Sequence, residues 1–151
     1  MSIELRKGIF IKATQLLNDT YFEGSIIYLI EYNEKGAMGF VINSPFNRKF
    51  NELIEFLDCP PFILYEGGPV ATDKLYFIHK RPDIIQNAQL ITDNVYYGGD
   101  FNMTVQMMMT QQINESEFRL YIGYCGWDGG QLESEIDEGC WEDYNDYKIF
   151  N

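Results

Sequence analysis

A chain of 151 residues, 46% hydrophobic and 23% charged, has the size and apolar content of one folded domain, which excludes a disordered polymer. Twenty-three acids against eleven Lys and Arg give a net charge of −12. No basic run is longer than a dipeptide such as Arg48-Lys49 or Lys80-Arg81. That balance argues against unaided DNA binding, which depends on neutralising phosphates with Lys and Arg.

In chain order, GIFIKA (8–13) reads as a first strand, and Asn18-Asp19-Thr20 as turn punctuation. SIIYLIEYN (25–33) is rich in β-branched and aromatic residues and reads as a second strand. The turn Asn33-Glu34-Lys35-Gly36 leads into GAMGFVIN (36–43), with Ala37, Gly39 and Val41 on one face and Met38, Phe40 and Ile42 on the other. A glycine inside that strand predicts close approach by another backbone. Phe50, Leu53, Ile54 and Leu57 follow helical spacing, so a helix is predicted over 49–57, capped by Asn47 and stopped at Cys59-Pro60-Pro61. Strands are predicted at FILYEGGPV (62–70), KLYFIHK (74–80), AQLITD (88–93) and NVYYGG (94–99). Asp100 is placed to cap a helix over 101–113 that buries Phe101, Val105, Met108 or Met109, and Ile113. In Met107-Met108-Met109 helical spacing leaves one methionine exposed. FRLYIGY (118–124) predicts a late strand, 129–138 a last helix, and EDYNDYKIF a closing strand. Helices and strands are mixed without regular alternation, which predicts an α+β fold with a mixed sheet.

The acidity is concentrated at one end. Residues 128–151 hold eight acids against Lys148 alone. The three cysteines Cys59, Cys125 and Cys140 form no CxxC, and His79 is the sole histidine, so a Cys/His zinc cluster has no ligand set. Free thiols in a reducing compartment are expected. No apolar run approaches the ~20 residues that cross a bilayer. The segment MSIELRKGIFIKA has charges where a signal peptide would be apolar. A cytoplasmic protein with no membrane association is expected.

GAMGFVINSPF (36–46), GGPV (67–70) and GYCGWDGGQLESEI (123–136), in this order, resemble the AlgH/YqgE family of small bacterial proteins. FIKATQLLNDTYFEGSIIYLIEYN (10–33) and Trp141 extend the resemblance over nearly the whole chain, read as a single domain, 1–151. It implies an α+β domain with a mixed, branched sheet curled into a pseudo-barrel and flanked by helices. Family members are often labelled transcriptional regulators, and the resemblance brings no established enzymatic activity and no cofactor. The chain departs from the family pattern at Ser44, where a basic residue commonly precedes Pro45. It departs again at Cys125, usually a small residue, and at Asp128, usually uncharged.

Each motif has a structural reading beside a functional one. The stretch GYCGWDGGQLESEI joins a strand to a helix through glycines, a geometry that can cradle an anion. Yet it matches no phosphate-loop pattern, and Asp128, Glu133 and Glu135 around the helix start would repel a phosphate. The structural reading makes Asp128 the N-cap, Gln131 its capping-box partner, Leu132 and Ile136 an apolar stripe, and Trp127 a core anchor. Asp128, Glu133 and Asp137 could offer oxygens to a divalent cation, but no DxDxDG loop is present. Cys125 at a strand end could be a nucleophile with His79 as base if the fold brought them together. If the three motifs converge on one pole, Asn43, Pro45, Gly67, Gly68, Pro69, Gly126, Trp127, Gln131 and Glu133 would line a pocket there, although Asn43 and Gln131 could equally satisfy backbone groups.

Two readings of function follow. In the first the chain is a non-enzymatic regulatory or interaction protein that works through a protein partner. Glu135, Asp137, Glu138, Glu142 and Asp143 would then form an acidic surface for a basic protein, without direct contact to nucleic acid. In the second it is an enzyme or small-ligand binder with its pocket at the glycine-rich pole. No cofactor or metal is expected in either, and the oligomeric state is left open.

Overall fold

In a computed structural model, which describes residues 3–150, ten strands form one branched sheet with two α-helices packed on it. Strands β1 (Phe10–Ala13), β2 (Ile26–Asn33) and β3 (Gly36–Val41) form an antiparallel meander. After them come β4 (Pro45–Lys49), β5 (Ile63–Glu66), β6 (Val70–His79), β7 (Gln89–Thr92) and β8 (Val95–Tyr97). Helix α1 (Phe101–Met109), β9 (Phe118–Asp128), α2 (Gln131–Asp137) and β10 (Trp141–Asp143) complete the fold. The sheet path runs β10-β1-β2-β3-β9-β6-β8-β7, with β4 and β5 branching from it at β9. The path is open, so the expected curled sheet does not close into a barrel. It is mixed because β5 runs parallel to β9 while the other pairs are antiparallel.

Strand β9 is the spine. Its first half, Phe118–Tyr124, lies between β5 and β6, and its second half pairs with β3, Gly39 opposite Cys125 and Ala37 opposite Trp127. One strand therefore feeds three cores. Phe118 and Leu120 pack with Phe50, Phe77 and Met108; Tyr121 packs with Tyr28 and Phe40; Cys125 and Trp127 pack with Ile27, Leu29 and Leu132. The period-2 alternation of β2 divides in the same way, Ile27 and Leu29 facing one core and Tyr28 and Ile30 another. At Gly39 a Cβ would lie 2.7 Å from the Tyr28 carbonyl oxygen, so the expected close approach is present.

The predicted helix over 49–57 is corrected. Residues 45–49 are drawn into β4, so Asn47 is not a cap, and the chain then makes two 3-10 turns, Phe50–Glu52 and Ile54–Phe56. Leu53 between them has extended backbone, φ −79° and ψ 135°, which no continuous helix accommodates. Phe50 is buried and stacks on Phe56, whereas Ile54 and Leu57 point outward. Helix α1 starts at the expected cap, Asp100 accepting from the Met103 N–H at 3.1 Å, but ends at Met109 because Gln111 turns the chain at φ +63°. Met108 is buried, Met107 half-buried and Met109 exposed. The closing strand is only Trp141–Asp143, and beyond it Ile149 and Phe150 fill the core from irregular chain.

Candidate functional site

The three glycine-rich motifs meet at a single backbone carbonyl. Gly67 O accepts from the Val41 N–H at 2.9 Å and from the Cys125 thiol at 3.4 Å, while Gly67 N–H donates to Ile122 O at 2.8 Å. At Gly68 a Cβ would lie 2.1 Å from the Tyr124 carbonyl carbon, and Gly123 backs onto the Gly68 carbonyl. This is chain against chain, with no room for a ligand. Gly67 and Gly68 are buried there, while Pro69 is exposed in the turn into β6.

Asn43 and Pro45 flank this junction, Ser44 O accepting the Glu66 N–H at 2.7 Å and Pro45 pairing with Tyr65. The Asn43 amide ties the end of β3 back to β2, accepting from Ile26 N–H and donating to Gly24 O, both at 3.0 Å. Its role is to satisfy backbone groups. Trp127 pairs with Ala37, six residues from Asn43 and so roughly 20 Å along the strand. Beside it a hollow of about 350 Å³ takes in Gly126 and Trp127 and none of the other pole residues named from sequence.

The start of α2 differs from expectation. The N-cap is Gly130, at φ +85°, and Asp128 remains the last residue of β9. Half of the expected exchange is present: Gln131 Oε1 accepts the Asp128 N–H at 2.9 Å. The carboxylates of α2 are engaged by aromatic donors. Tyr32 donates its hydroxyl to Glu133 Oε2 at 2.7 Å. Trp127 and Trp141 both donate indole N–H groups to Glu135 Oε1, at 3.0 and 2.9 Å, and Gln131 Nε2 donates to Glu135 Oε2 at 3.2 Å. Both indoles are buried, so this carboxylate satisfies two donors that would otherwise be lost to the core. Glu135 is therefore a structural acceptor before it is part of any surface. Nothing in the local sequence pattern announces it, beyond two tryptophans flanking an acidic helix.

Asp137, Glu138, Glu142 and Asp143 stay exposed, and among the described residues none of them is in an ion pair or side-chain hydrogen bond. Asp137 and Glu138 end α2, and Glu142 and Asp143 lie on the edge strand β10, so all four share one end of the molecule.

The possible catalytic dyad is not assembled. His79 pairs with Phe118, seven residues along β9 from Cys125, roughly 23 Å at strand rise. The Cys125 thiol is buried, and burial pushes its pKa up to about 12, opposite to what a nucleophile needs. The His79 ring accepts from Arg81 N–H at Nδ1, 3.0 Å, which leaves Nε2–H to donate to Gly98 O at 2.9 Å. Burial lowers its pKa and holds it neutral. Among the described residues no three His, Cys, Asp or Glu side chains converge as a metal-binding group, and no helix is long and apolar enough to cross a membrane.

A model of the AlgH-like family matches residues 9–147. The chain belongs to that family. Among its relatives, a UPF0301 protein of Chlorobium limicola is 39% identical over 138 residues, 91% of this chain and 74% of the relative. Another, from Parabacteroides distasonis, is 37% identical over 89% of this chain and 69% of the relative. The solution structure of the AlgH protein from Pseudomonas aeruginosa superposes with a TM-score of 0.77 at 28% identity, covering 96% of this chain and 81% of that one. A crystal structure from Corynebacterium diphtheriae shares the fold at a TM-score of 0.76 and 22% identity, over 96% of this chain and 78% of that one. The AlgH-like resemblance read from the three motifs is thus confirmed. The motifs mark the joints of this fold.

Proposed function

We propose that this chain is a non-enzymatic regulatory protein of the bacterial cytoplasm that docks a basic protein partner on the acidic face of α2 and β10. One observation carries the reading: Glu133 and Glu135 are occupied by Tyr32 and the two indoles, yet Asp137, Glu138, Glu142 and Asp143 are exposed and unpaired among the described residues. Four unpaired acids beside one another repel, and a partner bearing Lys and Arg relieves that repulsion while being steered to this end of the molecule. Direct DNA binding is disfavoured by the net charge of −12. Any gene-regulatory effect is then exerted through the partner.

The experiment is a comparison of the native chain with the neutralised variant D137N/E138Q/E142Q/D143N in affinity capture, alongside a gel shift with random and operator-like duplexes. Glu135 is left intact, because changing it removes the indole acceptor. Loss of one salt-sensitive partner from the variant supports the reading. Tight, specific duplex binding by the isolated chain overturns it.

A further inference from the structure

Away from the acidic face, a cavity of about 600 Å³ opens between residues 6–10, the β7–β8 turn and the C-terminal segment 145–150. Its floor is apolar, built from Ile9, Phe10, Val95, Ile149 and Phe150. Tyr28 lines this cavity, and its hydroxyl is a buried side-chain oxygen with no hydrogen-bond partner among the described residues. A buried hydroxyl with no partner has given up its hydrogen bonds to water without replacement, so its persistence calls for an explanation.

The lining carries two cations, Arg6 and Lys148, and two anions, Asp93 and Asp146. None of the four is in an ion pair or side-chain hydrogen bond among the described residues. Asp93 is placed by a tight turn in which Asp93 and Asn94 both have positive φ, +44° and +66°. Burial, then the Asp93 charge, raises the Tyr28 pKa and keeps the phenol protonated. A ligand with only a carboxylate would leave both acids unpaired, and one with only an amine would leave both cations unpaired. A zwitterion offers a partner to charges of both signs, brings no net charge to a strongly acidic chain, and can lay an apolar side chain on the floor.

We propose that this cavity binds a free amino acid with an apolar side chain. Its carboxylate meets Arg6 and Lys148, and its ammonium meets Asp93 and the Tyr28 hydroxyl. The exposed segment 145–148 forms one side of the cavity and is tied to β1 by the Asn145 side chain accepting from Phe10 N–H at 3.4 Å and by Tyr144 N–H donating to Phe10 O at 3.1 Å. At about 600 Å³ the cavity has ample room for such a ligand.

The test is titration of the ¹⁵N-labelled chain with L-phenylalanine, 3-phenylpropionate and phenethylamine, repeated on Tyr28→Phe and Asp93→Asn. Saturable shifts centred on Gly8, Tyr28, Asp93 and Lys148 are expected with L-phenylalanine, and at least about ten-fold weaker binding for each single-charge analogue. Y28F and D93N should each weaken L-phenylalanine about five-fold or more. Y28F removes an unpaired polar atom, so its unfolding midpoint should not fall, and lost binding then reports the site. Absence of saturable shifts, shifts centred elsewhere, equal affinity for the analogues, or unchanged affinity in Y28F would each overturn the assignment.

Discussion

Trp127 and Trp141 meet edge to face, ring centroids 6.0 Å apart at 78°, and give both indole N–H groups to one oxygen of Glu135. The arrangement fastens α2 between the last turn of the sheet spine β9 and the edge strand β10. It also explains why an acidic helix can lie against a core. Its inward carboxylate is an acceptor that the core needs.

Glu135→Ala should therefore leave two buried donors unpaired and cost about 2–4 kcal/mol, whereas Glu135→Gln keeps an acceptor oxygen and should cost about 1 kcal/mol. Urea unfolding followed by tryptophan fluorescence reads both. Equal midpoints for the two variants would mean the indoles find other partners.

Glycine at 68 is demanded by the Tyr124 backbone, since a Cβ there would lie 2.1 Å from its carbonyl carbon. Gly68→Ala should cost about 3 kcal/mol or more, because backbone rather than a flexible side chain must move. At Gly24, φ +68°, a Cβ meets nothing within 4 Å. Gly24→Ala should cost only about 1 kcal/mol, from conformational strain. A thermal melt of the two variants separates close approach from backbone strain.

Burial lowers the His79 pKa below its unfolded value, so the unfolded chain takes up the proton first as pH falls. The stability His79 contributes is complete above about pH 6.5 and is lost as pH drops through the depressed folded value, at no more than about 1.4 kcal/mol per pH unit. Urea midpoints at pH 7 and 5.5 should differ in the native chain. In His79→Gln the difference over that window should shrink, and an unchanged difference would assign it to other groups.

Burial also raises the pKa of Cys125, to about 12, and of Cys59, and burial with the Glu138 and Glu135 charges raises that of Cys140; what sets Cys140 apart is access, since it is half-buried while the other two are buried. A thiol reagent at neutral pH should label one cysteine per native chain, Cys140, and all three after unfolding. Rapid native labelling of Cys125 would reopen a chemical role for it.

Much of this fold can be read from residue pattern. The bulk asymmetry of 36–43, the cap at Asp100 and the aromatic run 118–124 each arise from local rules, and each is present in the structure. The helix expected over 49–57 is absent because long-range pairing of β4 with β5 consumes its N-terminal cap, which no local window contains. The same holds for the candidate site. That Gly67 is where three motifs meet depends on β3, β5 and β9 being neighbours, and that Glu135 points inward depends on two tryptophans fourteen residues apart. The Tyr28 cavity is assembled from residues 6 to 150 and leaves no local signature at all.

The most direct measurement of the docking role is affinity capture from the source cell's lysate at roughly 50 and 300 mM salt, a range across which screening weakens exposed charge pairs. Native chain and D137N/E138Q/E142Q/D143N are compared after circular dichroism shows both folded. The expected result is a basic protein retained by the native chain at low salt, released at high salt, and absent from the variant at both. Retention of the same proteins by both chains would contradict the acidic face as the docking surface.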